Sequence, residues 1–201
     1  MLISVKSLAG YRVGTTEGLA GRAIDFNFDD RSWKIQHVVA AQNPARRERG
    51  VLLAPDYVQR IEARENVLAT SLTRAEYDAL PSAVSALPVC LQYDSRAGLR
   101  PSAAGDPHLR CTSAVAGNEI SDHQQHLGIV HDFLIDTETW TIAFLVGRRF
   151  GQREGEFLVE ATSVGQISFA SRRVTIRERA NWDLIFAERN GYGKLLELSA
   201  A

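Results

Sequence analysis

Four aspartates recur in pairs and are the residues of this chain best suited to acid–base chemistry. Asp25 and Asp29 lie four residues apart, and Asp132 and Asp136 repeat that spacing. Two carboxylates whose environments separate their pKa values can divide the roles of acid and base in hydrolysis. Asp29 and Asp136 also open polar stretches typical of tight turns, where an aspartate accepts backbone hydrogen bonds. We therefore expect structural aspartates, with a hydrolase using Asp25 and Asp132 as a distant alternative.

Three histidines are candidate zinc ligands. His123, His126 and His131 follow one another at short spacing, and neutral imidazole binds zinc well. No thiolate lies near them in the sequence, and His131 aligns with Ile24 when the chain is compared with itself. We expect no metal at these residues and no cofactor elsewhere.

Arginines cluster in two loops that follow equivalent predicted strands. Guanidinium groups suit phosphate and carboxylate ligands. Glu48 and Glu154 lie inside the same loops, and the net charge of −1 provides no general attraction to nucleic acid. We therefore favour solvated loops, with an RNA- or ribosome-associated assembly factor as the alternative. The candidate anion or partner contacts are Arg46, Arg47, Arg49, Arg148, Arg149 and Arg153.

The sequence contains none of the common catalytic motifs. GxSxG, HExxH, GxxxxGK[ST] and GxGxxG are all absent. No nucleophile stands beside a base in a recognisable arrangement. We expect that the protein is not an enzyme.

Cys90 and Cys111 are the two cysteines of the chain, and neither belongs to a CxxC motif. This spacing predicts neither a disulfide framework nor a zinc site. Two reduced thiols are the expectation for a cytoplasmic protein.

The chain shows no predicted membrane segment. Its first residues, MLISVKSLAG, contain no long apolar core, and the longest uncharged run covers residues 79–93. That run is shorter than the roughly 20 residues that a membrane span needs. We expect a soluble protein without membrane insertion.

The paired aspartates lie in a duplicated segment. Residues 21–40, GRAIDFNFDDRSWKIQHVVA, align without a gap with residues 128–147, GIVHDFLIDTETWTIAFLVG. Each copy covers roughly seventy residues, near 10–80 and 117–185, as expected for a repeated folding unit. The family-motif residues identical in both copies are Gly21 and Gly128, Asp25 and Asp132, Phe26 and Phe133, Asp29 and Asp136, and Trp33 and Trp140.

Each copy predicts a β-hairpin followed by a third strand. RAIDFNF and VHDFLI are rich in β-branched and aromatic residues, and KIQHVVAA and TIAFLVG follow them after short polar turns. Trp33 and Trp140 come directly after the turns, where we expect cross-strand packing rather than partner anchoring. The best helix candidate is TRAEYDAL, residues 73–80. The predicted fold class is all-β with minor helix, in two tandem small β-barrels.

The composition divides the chain into four parts. The first repeat covers 1–80, a linker rich in Pro, Ala, Gly and Ser covers 81–107, and the second repeat covers 108–185. A C-terminal tail, 186–201, falls outside the repeat. Its apolar KLLEL segment and the limited core of a small barrel lead us to expect a homodimer.

The repeat resembles the PRC-barrel family. The matching pattern is Gly-x-Val-x-Asp-Phe-x-x-Asp, a turn, Trp-x-Ile and an apolar strand, which residues 128–142 follow most closely. The family includes the cytoplasmic barrel of the photosynthetic reaction-centre H subunit, and it is similar to the C-terminal domain of a ribosome-maturation factor. A Trp-Leu-Pro-Gly segment common in the family is replaced here by the arginine loops.

The resemblance implies two PRC-type barrels joined by a linker. It also implies a non-enzymatic binding or assembly module that docks on other proteins in the cytoplasm of a bacterium. The identity of the partner is not contained in the residues, since fold alone does not determine function.

Overall fold

A computed structural model describes residues 1–41, 50–92, 105–122, 125–150 and 155–177. The chain divides into two compact units. The first unit consists of Ser7–Arg31 and Ile35–Ser113, and the second consists of Met1–Lys6, Ser32–Lys34 and the chain from Ala114.

Strands dominate both units. In chain order, the strands of the described residues are β1 (Leu2–Ser4), β2 (Arg12–Thr15), β3 (Gly18–Asp29), β4 (Ile35–Ala41), β5 (Val51–Leu53), β6 (Val58–Glu62), β7 (Val67–Thr70), β8 (Leu109–Cys111), β9 (Glu119–Ser121), β10 (His126–Asp136), β11 (Thr141–Arg148), β12 (Glu156–Glu160), β13 (Val164–Ser168) and β14 (Arg173–Ile176).

Within the described ranges, helical structure is limited to single turns or little more. The helices of the described residues are α1 (Val5–Leu8), α2 (Arg74–Asp78), α3 (Val89–Gln92) and α4 (Thr112–Val115), with 3-10 turns at Pro55–Tyr57, Ala83–Ser85 and Ala161–Ser163. The predicted helix near residues 73–80 is α2. Thr73 begins it with a capping box, because its hydroxyl accepts from the Glu76 N–H while the Glu76 carboxylate accepts from the Thr73 N–H.

The first unit contains a mixed sheet in the order β5-β4-β3-β2-β7-β6, with β8 also paired to β3. Strands β2 and β7 run parallel, and the other pairs are antiparallel. Register shifts within β3 and β4 mark bulges, which bend a sheet and increase its twist.

The second unit has the same strand order, β12-β11-β10-β9-β14-β13, with β1 paired to β10. Here β9 and β14 are the parallel pair. The predicted all-β class with minor helix, in two sheet units, is therefore confirmed.

The first strand of each repeat belongs to the sheet of the other repeat. β1 and β8 are equivalent in sequence, since LISV and LRCT precede the two copies at the same distance. β8 nevertheless pairs with β3, and β1 pairs with β10. Each unit is thus built from one repeat and the opening strand of its copy.

The core of each unit includes a stretch of its longest strand that is buried on both faces, residues 25–29 in β3 and residues 132–135 in β10. Phe26 and Phe28 in the first unit and Phe133 and Leu134 in the second are fully buried or nearly so. Burying such side chains contributes roughly 1.5–3 kcal/mol each, before the cost of ordering them.

Part of the predicted linker, 81–107, packs on the first sheet. The Leu52 N–H donates to the Pro81 carbonyl and the Ala83 N–H donates to the Gly50 carbonyl, both at 2.8 Å. Ala83 joins Val39 and Leu52 in a buried cluster. Residues 93–104 of that linker and the whole tail, 186–201, lie outside the described residues.

Candidate functional site

Asp25 lies buried in β3, where its carboxylate accepts hydrogen bonds from backbone N–H groups and from hydroxyl groups. Its Oδ1 accepts from the N–H of Phe26 at 2.8 Å, from the Thr112 hydroxyl at 2.8 Å and from the N–H of Ser113 at 3.1 Å. Its Oδ2 accepts from the Ser113 hydroxyl. The carboxylate fixes the start of α4, directly after β8 has joined the sheet.

Asp132 occupies the equivalent position in β10 and makes the equivalent bonds. Its Oδ1 accepts from the N–H of Phe133 at 2.8 Å and from the N–H of Lys6 at 3.1 Å, and its Oδ2 accepts from the Ser4 hydroxyl. The same device therefore ties β1 and α1 to the second sheet. The described partners of both carboxylates are backbone N–H groups and serine or threonine hydroxyls of the same unit.

Asp29 and Asp136 end β3 and β10 at the hairpin turns. The Asp29 carboxylate accepts from the N–H of Arg31 at 3.1 Å, and that of Asp136 accepts from the N–H of Glu138 at 3.1 Å. Burial acts to raise the pKa of Asp136, but hydrogen bonds from Glu138, the terminal amino group and Thr139 hold this pKa below its ordinary value. Both residues thus stabilise turns.

Trp33 and Trp140 share an unusual backbone conformation. Their φ angles are 60° and 52°, in the left-handed region that residues with a side chain rarely adopt. Trp33 is buried and Trp140 is half-buried. The Trp33 carbonyl accepts from the N–H of Ile142 at 2.9 Å. These residues set the chain direction at the two turns.

Gly21 and Gly128 lie in strands at positions where a Cβ would clash with a neighbouring group. A Cβ on Gly128 would come within 2.2 Å of the Arg148 carbonyl oxygen, and one on Gly21 within 2.3 Å of the Tyr77 hydroxyl. Tyr77 is itself buried, and burial raises its pKa to about 12. The repeated glycines are thus explained by packing.

Of the six arginines predicted as anion contacts, Arg148 and Arg149 lie in the described residues; Arg46, Arg47, Arg49 and Arg153 lie outside them. Arg148 pairs with Glu156 at 3.2 Å and donates to His131 Nε2 at 2.7 Å. Arg149 is exposed, with its guanidinium carbon 6.0 Å from the centroid of the Phe157 ring. Arg148 thus has acidic and neutral partners in its own unit.

His126 and His131, the two candidate ligands within the described residues, have different partners. His131 contacts Lys6 Nζ at 3.0 Å, and His126 pairs with Glu119, whereas His123 lies outside the described residues. Within the described ranges, no three His, Cys, Asp or Glu side chains are grouped so that they could hold a metal ion. Burial, followed by the charges of Lys6 and Arg148, lowers the pKa of His131.

Two groups near the first sheet were not apparent in the sequence. The sulfur atoms of Cys90 and Cys111 lie 3.0 Å apart although 21 residues separate the two cysteines. Asn27 lies near the C-terminal end of β3, and its one signal in the sequence is that the second repeat has Leu134 at the aligned position.

Asn27 lines an open pocket of about 220 Å³ in the first unit, which we call the Asn27 pocket. The other lining residues are apolar: Val39, Ala83, Val84, Leu87, Pro88 and Leu91. Val84 is 56% exposed, which places an apolar side chain at the protein surface. The pocket can accept an apolar group but offers no acid, base or nucleophile among its lining residues.

No helix among the described residues is long and apolar enough to cross a membrane. Comparison with models of known protein families gives no match, and comparison with curated proteins gives none either.

Proposed function

We propose that the chain is a non-enzymatic binding and assembly module of the PRC-barrel type that docks onto other proteins. The observation that carries this proposal is the Asn27 pocket, an apolar recess with an exposed apolar rim and without catalytic groups. Apolar recesses with a few polar atoms are the usual form of ligand and partner sites.

The use of the repeated aspartates supports binding over hydrolysis. Asp25 and Asp132 are 2% and 3% exposed, and each accepts hydrogen bonds from the backbone and from a hydroxyl. A general base needs a free lone pair within reach of a substrate proton. Both carboxylates instead hold the opening strand of a repeat in its sheet, so the duplicated aspartates have a structural role.

Site-specific photo-crosslinking tests the proposal. A diazirine amino acid replaces Val84, and the purified protein is irradiated in a lysate of the native host. Leu19 is the matched control, because it is an apolar residue of the same unit that is 50% exposed and does not line the pocket. We expect a protein adduct from position 84, suppressed by excess unlabelled protein, and none from position 19.

Equal adducts from the two positions, or none that the unlabelled protein suppresses, would contradict the docking proposal. Ribonuclease treatment addresses the RNA alternative. Partner capture that disappears with ribonuclease, and in the Arg46, Arg47, Arg148 and Arg149 to Ala variant, would favour RNA binding by the arginine loops.

We also propose that the protein forms a homodimer in solution, since a twofold dimer is the commonest way to cover apolar surface on a small domain. Phe150 and Phe169 are exposed apolar side chains of the second unit. Light scattering at micromolar concentration is expected to give twice the chain mass of 22.2 kDa. A mass of one chain would contradict this.

A further inference from the structure

The side chains of Cys90 and Cys111 meet between two segments of the first unit. Cys90 lies in α3, within the predicted linker, and Cys111 is the last residue of β8. α3 packs against β8, and the two sulfur atoms are 3.0 Å apart. A disulfide bond is about 2 Å long, so its formation needs an approach of only about 1 Å. The two thiols are therefore placed to form a cross-link.

The second unit shows that the fold does not require a thiol at this position. The residue of β1 equivalent to Cys111 is Ser4, since LISV aligns with LRCT. The Ser4 hydroxyl donates to Asp132 and ties β1 to its sheet. A hydroxyl therefore suffices to hold an opening strand in place.

In the first unit, other side chains make this bond. The hydroxyls of Thr112 and Ser113 both donate to the equivalent aspartate, Asp25. The Cys111 sulfur instead contacts that of Cys90. Strand pairing thus leaves the identity of this thiol unexplained, and the contact with a second thiol explains it.

A buried amide keeps α3 beside the chain that enters β8. The side-chain amide of Gln92 donates to the Leu87 carbonyl at 2.7 Å and to the Asp106 carbonyl at 3.0 Å. Gln92 is buried, and Asp106 lies shortly before β8 in the chain. Groups that are held side by side in advance lose little freedom when they bond, which favours the cross-link.

Without the cross-link, non-covalent contacts attach β8 to its sheet. The strand has three residues, which pair with Asn27, Phe28 and Asp29 of β3. Arg110 adds an ion pair to Asp30 at 2.6 Å. Short segments of this kind open at a lower free energy than the core of a fold. A covalent bond from β8 to α3 would therefore act directly on the opening of this strand.

We propose that Cys90 and Cys111 form a redox-sensitive lock on β8, in which a reversible disulfide fastens the opening strand of the second repeat to the linker segment of the first unit. In the dithiol form, β8 opens independently of α3. In the disulfide form, the two segments open only together, so opening becomes rarer. This device does not depend on docking at the Asn27 pocket.

A low-molecular-weight disulfide such as oxidised glutathione supplies the oxidising equivalents. Cys90 is half-buried and Cys111 is buried, so the Cys90 thiolate attacks first. A sulfur–sulfur bond to one glutathione forms, and the other glutathione leaves as a thiolate. The Cys111 thiolate then attacks the Cys90 sulfur, closes the protein disulfide and expels the second glutathione. The protein loses two electrons and two protons, and the oxidant becomes two thiols.

Amide hydrogen exchange measured by NMR on the full chain tests the lock. The dithiol and the disulfide forms are compared, and intact mass confirms each form. We expect oxidation to slow exchange in Leu109–Cys111 and Val89–Gln92 by at least about tenfold, because the cross-link opposes separate opening of the two segments. The equivalent strand Leu2–Ser4 has no cysteine and is the internal control, whose exchange should not change.

Two variants separate the cross-link from other effects of the oxidant. Cys111→Ser takes the residue of β1 and should retain glutathione on Cys90 without a cross-link. Cys90→Ser leaves β8 unaltered and removes only its partner thiol. In both variants the oxidant should leave exchange in β8 unchanged. Slower exchange in the glutathione adduct of Cys111→Ser would show that the adduct acts, and not the cross-link.

Three further results would overturn the proposal. The first is an oxidised wild type that does not lose two hydrogens, since no disulfide has then formed. The second is a disulfide form in which β8 exchanges as fast as in the dithiol form. The third is equal slowing of exchange in β1 and β8, which indicates a general stabilisation of the chain and not a lock on one strand.

Discussion

The carboxylate of Asp132 accepts a hydrogen bond from the backbone N–H of Lys6, 126 positions earlier in the chain, at 3.1 Å. Asp25 accepts from the N–H of Ser113, 88 positions later, at the same distance. Each repeat therefore uses one buried aspartate to fix the segment that follows the opening strand of the other repeat.

Replacing Asp132 by alanine is expected to destabilise the second unit and release its first strand. The variant loses several bonds to a charged acceptor, and we expect its free energy of unfolding to fall by about 3 kcal/mol. Urea denaturation measures the loss, and hydrogen exchange should become faster in Leu2–Ser4. Asp132→Asn retains one carbonyl acceptor, so its free energy of unfolding should lie between those of the wild type and the alanine variant. Unchanged exchange in this strand would show that Asp132 does not hold it.

The left-handed backbone at Trp33 predicts that a glycine variant is more stable than an alanine variant, the reverse of the order expected in a regular strand. Either substitution removes a buried indole and should cost about 3–5 kcal/mol. Trp33→Gly should nevertheless be more stable than Trp33→Ala by about 1 kcal/mol, because glycine adopts φ near 60° without strain. Phe26 in β3 is the control, where the alanine variant should be the more stable of the two. If thermal unfolding shows the alanine variant to be the more stable of the two at Trp33 as well as at Phe26, the strain at Trp33 is contradicted.

The strands of each repeat could be read from the sequence, because a hairpin depends on local alternation and on turn residues. The exchange of β1 and β8 between the two sheets could not be read from the sequence. A strand of three residues carries too little pattern to choose between two equivalent sheets, and the choice depends on donors that lie 88 and 126 positions from Asp25 and Asp132.

The candidate pocket was only partly visible in the sequence. The pairing of Asn27 with Leu134 in the alignment marks a polar residue where the fold accepts an apolar one. The alignment does not show that residues 83–91 of the predicted linker line a pocket with it, since Pro, Ala and Ser are typical of linkers and of packed irregular segments alike.

Two histidines should make stability depend on pH below neutrality. Burial lowers the pKa of His37. The pKa of His131 is lowered by burial first, and then by the charges of Lys6 and Arg148. The charges of Glu156 and Asp132 oppose this shift without reversing it. As the pH falls below 6.5, their ordinary value, the unfolded chain binds protons that the folded chain resists. Stability is therefore expected to decline, by at most about 1.4 kcal/mol per pH unit for each histidine.

The repeat supplies the matched variants for this test. His37→Phe takes the residue of Phe144, and His131→Ile takes that of Ile24. Urea unfolding between about pH 5 and pH 8 stays above the range in which ordinary carboxylates titrate. Each variant should reduce the slope, and the double variant should remove most of it. A wild-type stability that does not change across this range would contradict the lowered pKa values.

Exchanging Asn27 and Leu134 between the repeats should have opposite effects on stability. Asn27→Leu removes a buried acceptor without a described partner and should raise the free energy of unfolding by about 1–3 kcal/mol in the absence of ligand. Leu134→Asn buries a new polar group and removes apolar contacts, and should lower it by about 3 kcal/mol. A loss of stability in Asn27→Leu would show that Asn27 serves the fold.

The proximity of Cys90 and Cys111 predicts a disulfide that forms on oxidation. Their sulfur atoms lie 3.0 Å apart, and a disulfide needs an approach of only about 1 Å more. With oxidised glutathione, the half-buried Cys90 thiolate displaces one glutathione, and Cys111 then attacks the mixed disulfide and releases the second. The protein dithiol is oxidised by two electrons, and one glutathione disulfide is reduced to two thiols.

Intact-mass measurement distinguishes this outcome from simple modification. The wild-type protein should lose two hydrogens and retain no glutathione, and a reductant should reverse the change. Cys111→Ser should instead stop at one glutathione on Cys90, because the resolving thiol is absent. Cys90→Ser should react slowly, because Cys111 is 2% exposed. Stable attachment of glutathione to both cysteines of the wild type would show that the two thiols do not meet in solution.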